Sequence, residues 1–383
     1  MLELRKFVAP ELVFGPDAIN LLGRYLINFR ARRVLVVTDP GIIAAGWADK
    51  ISSLIEEAGI DSAVFSAVSA NPRAEEVMAG AAFYHDQECD IIVAVGGGSP
   101  MDCAKGIGIV SANGQDILTF AGIDNVPIPG PPLICLPTTA GTSADISQFA
   151  IINDRKEGAK IAIISKTTIP DVALIDPMPT LTMSPYLTAC TGMDALVHAI
   201  EAYVSTANSP LSDLHALEAV RLIGANLLSV LINPADITLR NSLMLGSVHA
   251  GLAFSNASLG AVHAMAHSLG GLLDLPHGEC NAILLEHVIA YNFREAPERY
   301  TRIGEALGLD LHGLRSQDIQ EAVIAEIRRL KRSVGIQKTL GERGTKRSDI
   351  PALARKALRD PCMVTNPRLP SLRDIEVIYE DAL

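Results

Sequence analysis

Over its first half the chain alternates short apolar runs with stretches of helical periodicity. Residues 33–38 form a β-branched run bounded by charge and by Asp39-Pro40-Gly41, the pattern of a buried strand entering a turn. Residues 46–58 space their apolar positions as a helix does and end at Gly59. The same reading predicts strands at 63–68, 90–95, 133–136, 149–153, 160–164 and 172–175, and helices at 73–86 and 101–110. Strands that alternate with helices build βαβ units and a parallel sheet. After about residue 182 the texture changes. Residues 185–205, 210–232, 236–256, 259–273 and 280–292 are Ala/Leu-rich with helical spacing, and weaker helical pieces follow at 296–307, 316–333 and 350–359. The expectation is an α/β N-terminal domain with a parallel sheet over residues 1–181 and an all-helical C-terminal domain over 182–383.

Composition narrows the class. At 383 residues, 49% hydrophobic and 20% charged, the chain can bury two substantial cores. A net charge of −11 argues against nucleic acid and anionic membranes as partners. The six cysteines are scattered without a C-x-x-C pair, which reads as reduced thiols in a cytosol. The opening residues lack the apolar core of a secretory signal, and no uninterrupted apolar run approaches the roughly 20 residues of a membrane span. A cytoplasmic location is the expectation.

Chemistry enters at the strand ends. Gly96-Gly97-Gly98-Ser99-Pro100-Met101-Asp102 follows a strand and opens a helix, so backbone N–H groups and a helix dipole are available to a pyrophosphate. It is not G-x-G-x-x-G, and Asp39 precedes the glycines, whereas the usual acidic residue follows them by about 20 residues. Asp39 therefore reads equally as a ribose contact and as the first residue of a turn. Thr138, Thr139 and Thr142 cluster after another strand, suited to a cofactor or to a hydroxyl-rich turn.

The helical half carries the other candidates. Asp194 and His198 are four apart on a predicted helix and share a face. His263, His267 and His277 fall within fifteen residues of one another, with His277 placed on a turn just past a helix. One carboxylate and several neutral imidazoles suit a divalent first-row metal such as Fe²⁺ or Zn²⁺. Buried Asp–His and His hydrogen bonds are the plainer alternative. His215, His249 and His287 read as structural or surface residues.

The segments GGGSPMDCAKGIG (96–108), PTTAGTSAD (137–145), TGMDALVHAIEAY (191–203) and the 263–277 histidines together resemble the iron-containing, group III alcohol dehydrogenase family over essentially the whole chain. The resemblance implies a fold shared with dehydroquinate synthase, with NAD(H) and Fe²⁺ or another divalent ion between a dinucleotide-binding domain and a helical one. It implies Asp194, His198, His263 and His277 as metal ligands, and His267 as a catalytic histidine off the metal. It implies Gly97, Gly98, Ser99 and Asp102 at the pyrophosphate, with Thr138, Thr139, Thr142, Lys160 and Asn71 at the cofactor and Asp39 favouring NAD over NADP. Two departures stand out. Glu286-His287 replaces a frequent Pro-His, which is expected to adjust a helix entry, and PTTAGTSAD replaces the commoner TTAGTGSE.

The expected reaction is hydride transfer between nicotinamide and a small primary alcohol or its aldehyde, with the metal as Lewis acid. Phe149, Phe254 and Leu259 are expected to line the substrate pocket. A homodimer or larger homo-oligomer is implied by the family. A glycerol dehydrogenase-type polyol oxidoreductase and an NAD-binding regulatory protein are the competing readings.

Overall fold

The computed structural model describes residues 6–383, so the first five residues of the expected N-terminal domain lie outside the description. The chain forms two compact units. One comprises Val8–Thr139 and Ser143–Met183; the other comprises Ser184–Leu383, Ala140–Thr142 and the described residues before Val8.

The first unit runs β1 (Glu11–Phe14), α1 (Leu22–Asn28), β2 (Arg33–Val37), α2 (Pro40–Ala44), α3 (Trp47–Glu57), β3 (Asp61–Phe65), α4 (Ala74–Asp86), β4 (Ile91–Gly96) and α5 (Gly98–Asn113). It continues through β5 (Gly122–Ile123), β6 (Leu133–Pro137), β7 (Phe149–Asp154), β8 (Ala159–Ile164) and β9 (Val172–Ile175). Six strands form one sheet in the order β1-β9-β6-β4-β2-β3, every pair parallel. β2, β4 and β6 are buried on both faces, which is why they read as continuous apolar runs. One face packs Leu35, Ile92 and Cys135 against α4 and α5; the other packs Val36, Val93 and Ile134 against α1 and α3. A second, small sheet pairs β7 with β8 antiparallel and adds β5.

The strand order locates a binding edge. From β2 the chain moves outward to β3, and from β4 it moves the other way to β6. β2 and β4 are neighbours, with Val37 opposite Ala94. The switch in direction therefore falls between them, and ligands of open α/β sheets bind at the carboxyl ends of strands at such a switch. Asp39 leaves one of these two strands, and the glycines leave the other.

The second unit is helical among its described residues: α6 (Pro185–Val204), α7 (Pro210–Ile232), α8 (Ile237–Ala257), α9 (Ala261–Leu273), α10 (His277–Asn292), α11 (Pro297–Ala306), α12 (Ser316–Ser333), α13 (Ile350–Ala357) and α14 (Leu372–Asp381). α7 is long and apolar enough to cross a membrane by length and composition; in this unit it packs against α6 and α8. Ser184 and Ser209 cap α6 and α7 through their hydroxyls, each followed by proline at the first helical position.

Several expectations need correction. β1, β5, α1, α2 and α14 were not predicted, being short or only half-buried. The strand expected at 63–68 runs Asp61–Phe65, and the helix expected from Met101 begins at Gly98. His277 is not on a turn past the helix; it is the first residue of α10. Glu286 lies in the middle of α10, not at a helix entry, where Arg328 (2.5 Å) and Lys331 (2.9 Å) from α12 neutralise it.

Candidate metal centre and cofactor-binding loops

Three helices deliver the metal candidates. α6 carries Asp194 and His198 one turn apart, α9 carries His263 and His267, and α10 begins with His277. Asp194 Oδ1 lies 3.7 Å from His263 Nε2 and 3.8 Å from His277 Nε2. Donors bound tetrahedrally at about 2.1 Å lie roughly 3.4 Å apart, so these three atoms are spaced nearly as a first-row ion requires. All three also surround one nitrogen, Asn281 Nδ2, at 2.6, 3.1 and 3.2 Å. With His263 and His277 unprotonated at Nε2, as a metal requires, that amide has two hydrogens for three acceptors. A cation at the same focus satisfies every donor, so the residues fit a divalent metal.

His198 stands beside this trio, outside the group whose donor atoms cluster. Its ring stacks on His263 (centroids 4.5 Å, 15°) and on Phe254 (4.3 Å, 21°). Its Nδ1 is buried and has no hydrogen-bond partner. Burial pushes its pKa down to about 3, so it offers a neutral imidazole. Burial opposes the charge of Asp194, but His198, His263 and His277 outweigh it and hold the carboxyl below its ordinary range. Burial also works against a charged His263, yet the carboxylates of Asp194 and Glu201 on either side raise it to about 9. A bound cation takes the place of that proton.

Sequence reasoning missed the residues that hold these metal candidates in place. Glu201 Oε2 accepts from His263 Nδ1 at 2.6 Å, and Oε1 accepts the Val262 N–H at 2.6 Å. Glu201 thus fixes the His263 tautomer and also caps α9. Gly260 permits this, since a Cβ there would fall 2.9 Å from Glu201 Oε1. His267 donates from Nδ1 to Asp360 Oδ2 at 2.8 Å, and its ring runs parallel to His277 (5.2 Å, 11°). Asp360 in turn accepts the Cys362 N–H at 2.8 Å. Glu201 shares the α6 face of Asp194 and His198, and Asn281 sits one turn after His277 on α10, so helical spacing could have flagged both. Asp360 carries no such signal, and which ligand candidate each residue supports shows only in the approach of the helices.

In the α/β unit the cofactor candidates gather at strand ends. Gly96 has φ +148°, and a Cβ there would strike Pro100 Cγ at 2.6 Å. α5 then begins at Gly98 with its first-turn N–H groups at the switch point. Ser99 Oγ donates to Ala70 O at 2.6 Å, joining this turn to the segment after β3 that holds Asn71. Thr139 lies against Gly97, and Thr138 Oγ1 is buried without a hydrogen-bond partner, an unmet polar group that suits a polar ligand. Asp39 Oδ1 caps α2 by accepting the Ile42 N–H at 3.0 Å, so it is at least a turn residue. Burial within the protein pushes Asp102 up to about 7 against the pull of Lys105. Lys105 itself donates to the carbonyls of Ser147 and Phe149 at 2.7 Å each. Lys160 lies on β8, paired with Asn153 of β7. Thr142 belongs by its contacts to the helical unit. Ser143 adopts φ +48°, the left-handed conformation that glycine tolerates best, which accounts for glycine at this place in the commoner motif. Phe149, Phe254 and Leu259 are all buried.

A dinucleotide edge on a parallel sheet, and on a helical unit one carboxylate gathered with two imidazoles and a third imidazole beside them, define a metal-dependent oxidoreductase. The profile of the iron-containing alcohol dehydrogenases matches residues 9–177, and that of the C-terminal part of the same family matches 188–383. The 1,3-propanediol dehydrogenase of Klebsiella pneumoniae is 41% identical over 371 residues, 96% of each chain. The NAD-dependent methanol dehydrogenase of Bacillus methanolicus is 36% identical, covering 98% of this chain and 99% of its own. A crystal structure of 1,3-propanediol oxidoreductase superposes with a TM-score of 0.96 at 40% identity over the full length of both chains. The chain belongs to the iron-containing alcohol dehydrogenase family. It is an NAD(H)- and divalent-metal-dependent oxidoreductase of alcohols and aldehydes, and the regulatory reading is not favoured.

Proposed function

We propose that the protein interconverts small primary alcohols, short diols among them, with their aldehydes. The observation that carries this is the convergence of Asp194, His263 and His277 on one point, with a neutral His198 beside it. These four residues hold the ion. When bound, it supplies Lewis acidity toward the alcohol or carbonyl oxygen, and nicotinamide gives or takes the hydride. Glu201 keeps His263 oriented with Nε2 toward the ion. His267, with Nδ1 committed to Asp360, presents Nε2 for proton exchange at the substrate oxygen. The turn at Gly97, Gly98 and Ser99, with Asp102 behind it, receives the pyrophosphate. Thr138, Thr139, Thr142, Lys160 and Asn71 contact the cofactor, and Asp39 repels a 2′-phosphate. The relatives' names favour activity on simple alcohols and diols and a reaction of the general alcohol dehydrogenase type. A homo-oligomer in the cytoplasm is part of the same proposal.

The test is NADH oxidation with a panel of short aldehydes, with and without added Fe²⁺ or Zn²⁺. Metal-stimulated turnover that vanishes in the His263→Ala/His277→Ala double variant is the expected result. Undiminished turnover in that variant rules the metal role out.

A further inference from the structure

His277 is the least sheltered of the three gathered donors, its side chain 25% exposed against 1% for His263 and 3% for Asp194. It follows a turn in which Asp274 takes φ +53°, and α10 has no side-chain cap of its own. Two contacts fix this helix start. On one side Gly278 meets the backbone of α6, where a Cβ would fall 2.5 Å from Cys190 O, one turn before Asp194. On the other side Glu279, 2% exposed, accepts from Tyr186 Oη at 2.8 Å and pairs with Arg343. Tyr186 lies in the first turn of α6. Arg343 closes the 3₁₀ turn Gly341–Arg343, which Leu340 anchors by donating its N–H to Ala382 O at 3.0 Å near the C-terminus.

Building on the metal-centre reading above, we propose that Arg343, acting through Glu279 and Tyr186, is a positioning residue that sets how tightly the ion is retained. A buried carboxylate is stable only when its charge is compensated. With Arg343 in place, the Glu279 side chain stays folded against α6 and holds His277, two residues earlier, in register with Asp194. Without that guanidinium, the Tyr186 hydroxyl is the remaining partner seen for Glu279. The first turn of α10 then shifts to hydrate the carboxylate, and His277 moves with it. Arg343 touches no ligand atom; its effect passes through helix placement.

The experiment is competition of Zn²⁺ between the full-length protein and a chromophoric chelator, run on the wild type, Arg343→Gln, Arg343→Lys and the double variant Arg343→Gln/Glu279→Leu. Melting of each metal-free protein is measured alongside. Wild type should hold one ion. Arg343→Gln should hold it roughly tenfold or more weakly, the loss usual when a residue that orients a ligand is removed. Arg343→Lys should recover part of that loss, and so should the double variant, because the uncompensated charge is gone. Metal-free melting of Arg343→Gln should fall by a few degrees with the fold retained, because the shifted first turn of α10 hydrates the carboxylate. Retention by Arg343→Gln equal to wild type overturns the proposal, as does a weakening matched by collapse of the metal-free fold or unrelieved in the double variant. If wild type itself holds no ion, it is the metal-centre reading that fails.

Discussion

At the scale of single residues, Glu201 does two jobs with one carboxylate: it orients His263 and caps the helix that carries it. Glu201→Gln keeps an acceptor and removes the charge, so metal affinity should fall about 10–100-fold by chelator competition. An unchanged affinity would mean that the hydrogen bond alone suffices. Asp39 also serves twice if it reads the ribose, because its side chain already caps α2. Asp39→Asn is therefore a cleaner probe than Asp39→Gly, keeping the cap while removing the charge that repels a 2′-phosphate. The preference for NAD over NADP should narrow by about tenfold or more, the scale of one lost charge repulsion near a protein surface. A preference that stays put would leave Asp39 a capping residue only. The metal candidates were legible as residue types at helical spacing, because Asp194 and His198 must share a face. The pairings of their supports were not. Glu201 reaches His263 across 62 positions and Asn281 reaches Asp194 across 87, distances at which no periodicity in the chain speaks.

At the scale of elements, the contact of α6 with α10 is made at backbone distance. Gly278→Ala should disturb it, costing about 1–3 kcal/mol of stability as overpacking does, together with metal affinity. A fully stable, fully loaded variant would show that the contact yields freely. A different element pair gives a pH dependence. His215 Nδ1 on α7 and His249 Nδ1 on α8 lie 2.9 Å apart, with Glu218 and Arg221 nearby and Phe7 stacked on His215. Burial, and then the His249 ring, lowers the pKa of His215 from its ordinary 6.5. Burial lowers His249 also, against the pull of Glu218. A histidine whose folded pKa is depressed takes up protons more readily unfolded, so its contribution to stability is present above the unfolded pKa and lost as pH falls below it. The melting temperature should therefore drop below about pH 6.5, and His249→Gln should flatten that drop. An unaltered slope would separate the pair from folding. The long, Ala/Leu-rich helices of the second unit were legible nearly to the residue. β1 and α14 were not, since a four-residue, half-exposed strand and a charged terminal helix owe their form to what they pack on.

For the molecule as a whole, the strand order explains what the chain order obscures. Asp39 comes before the glycine turn in sequence, which set it apart from the usual dinucleotide fingerprint. Because β2 and β4 lie side by side, both features leave the sheet at one switch point. The α/β-then-helical division was visible in texture, but strand order was not, because non-local pairing leaves no local trace. The central claim is that one ion held by Asp194, His198, His263 and His277 is required for hydride transfer. Its most direct test titrates Fe²⁺ under anaerobic conditions into metal-free protein, following bound iron and the rate of aldehyde-dependent NADH oxidation in the same samples. The account predicts that the rate rises in proportion to occupancy and saturates at one ion per chain. A metal-free protein that already turns over at the full rate, or iron that binds without changing the rate, would contradict it.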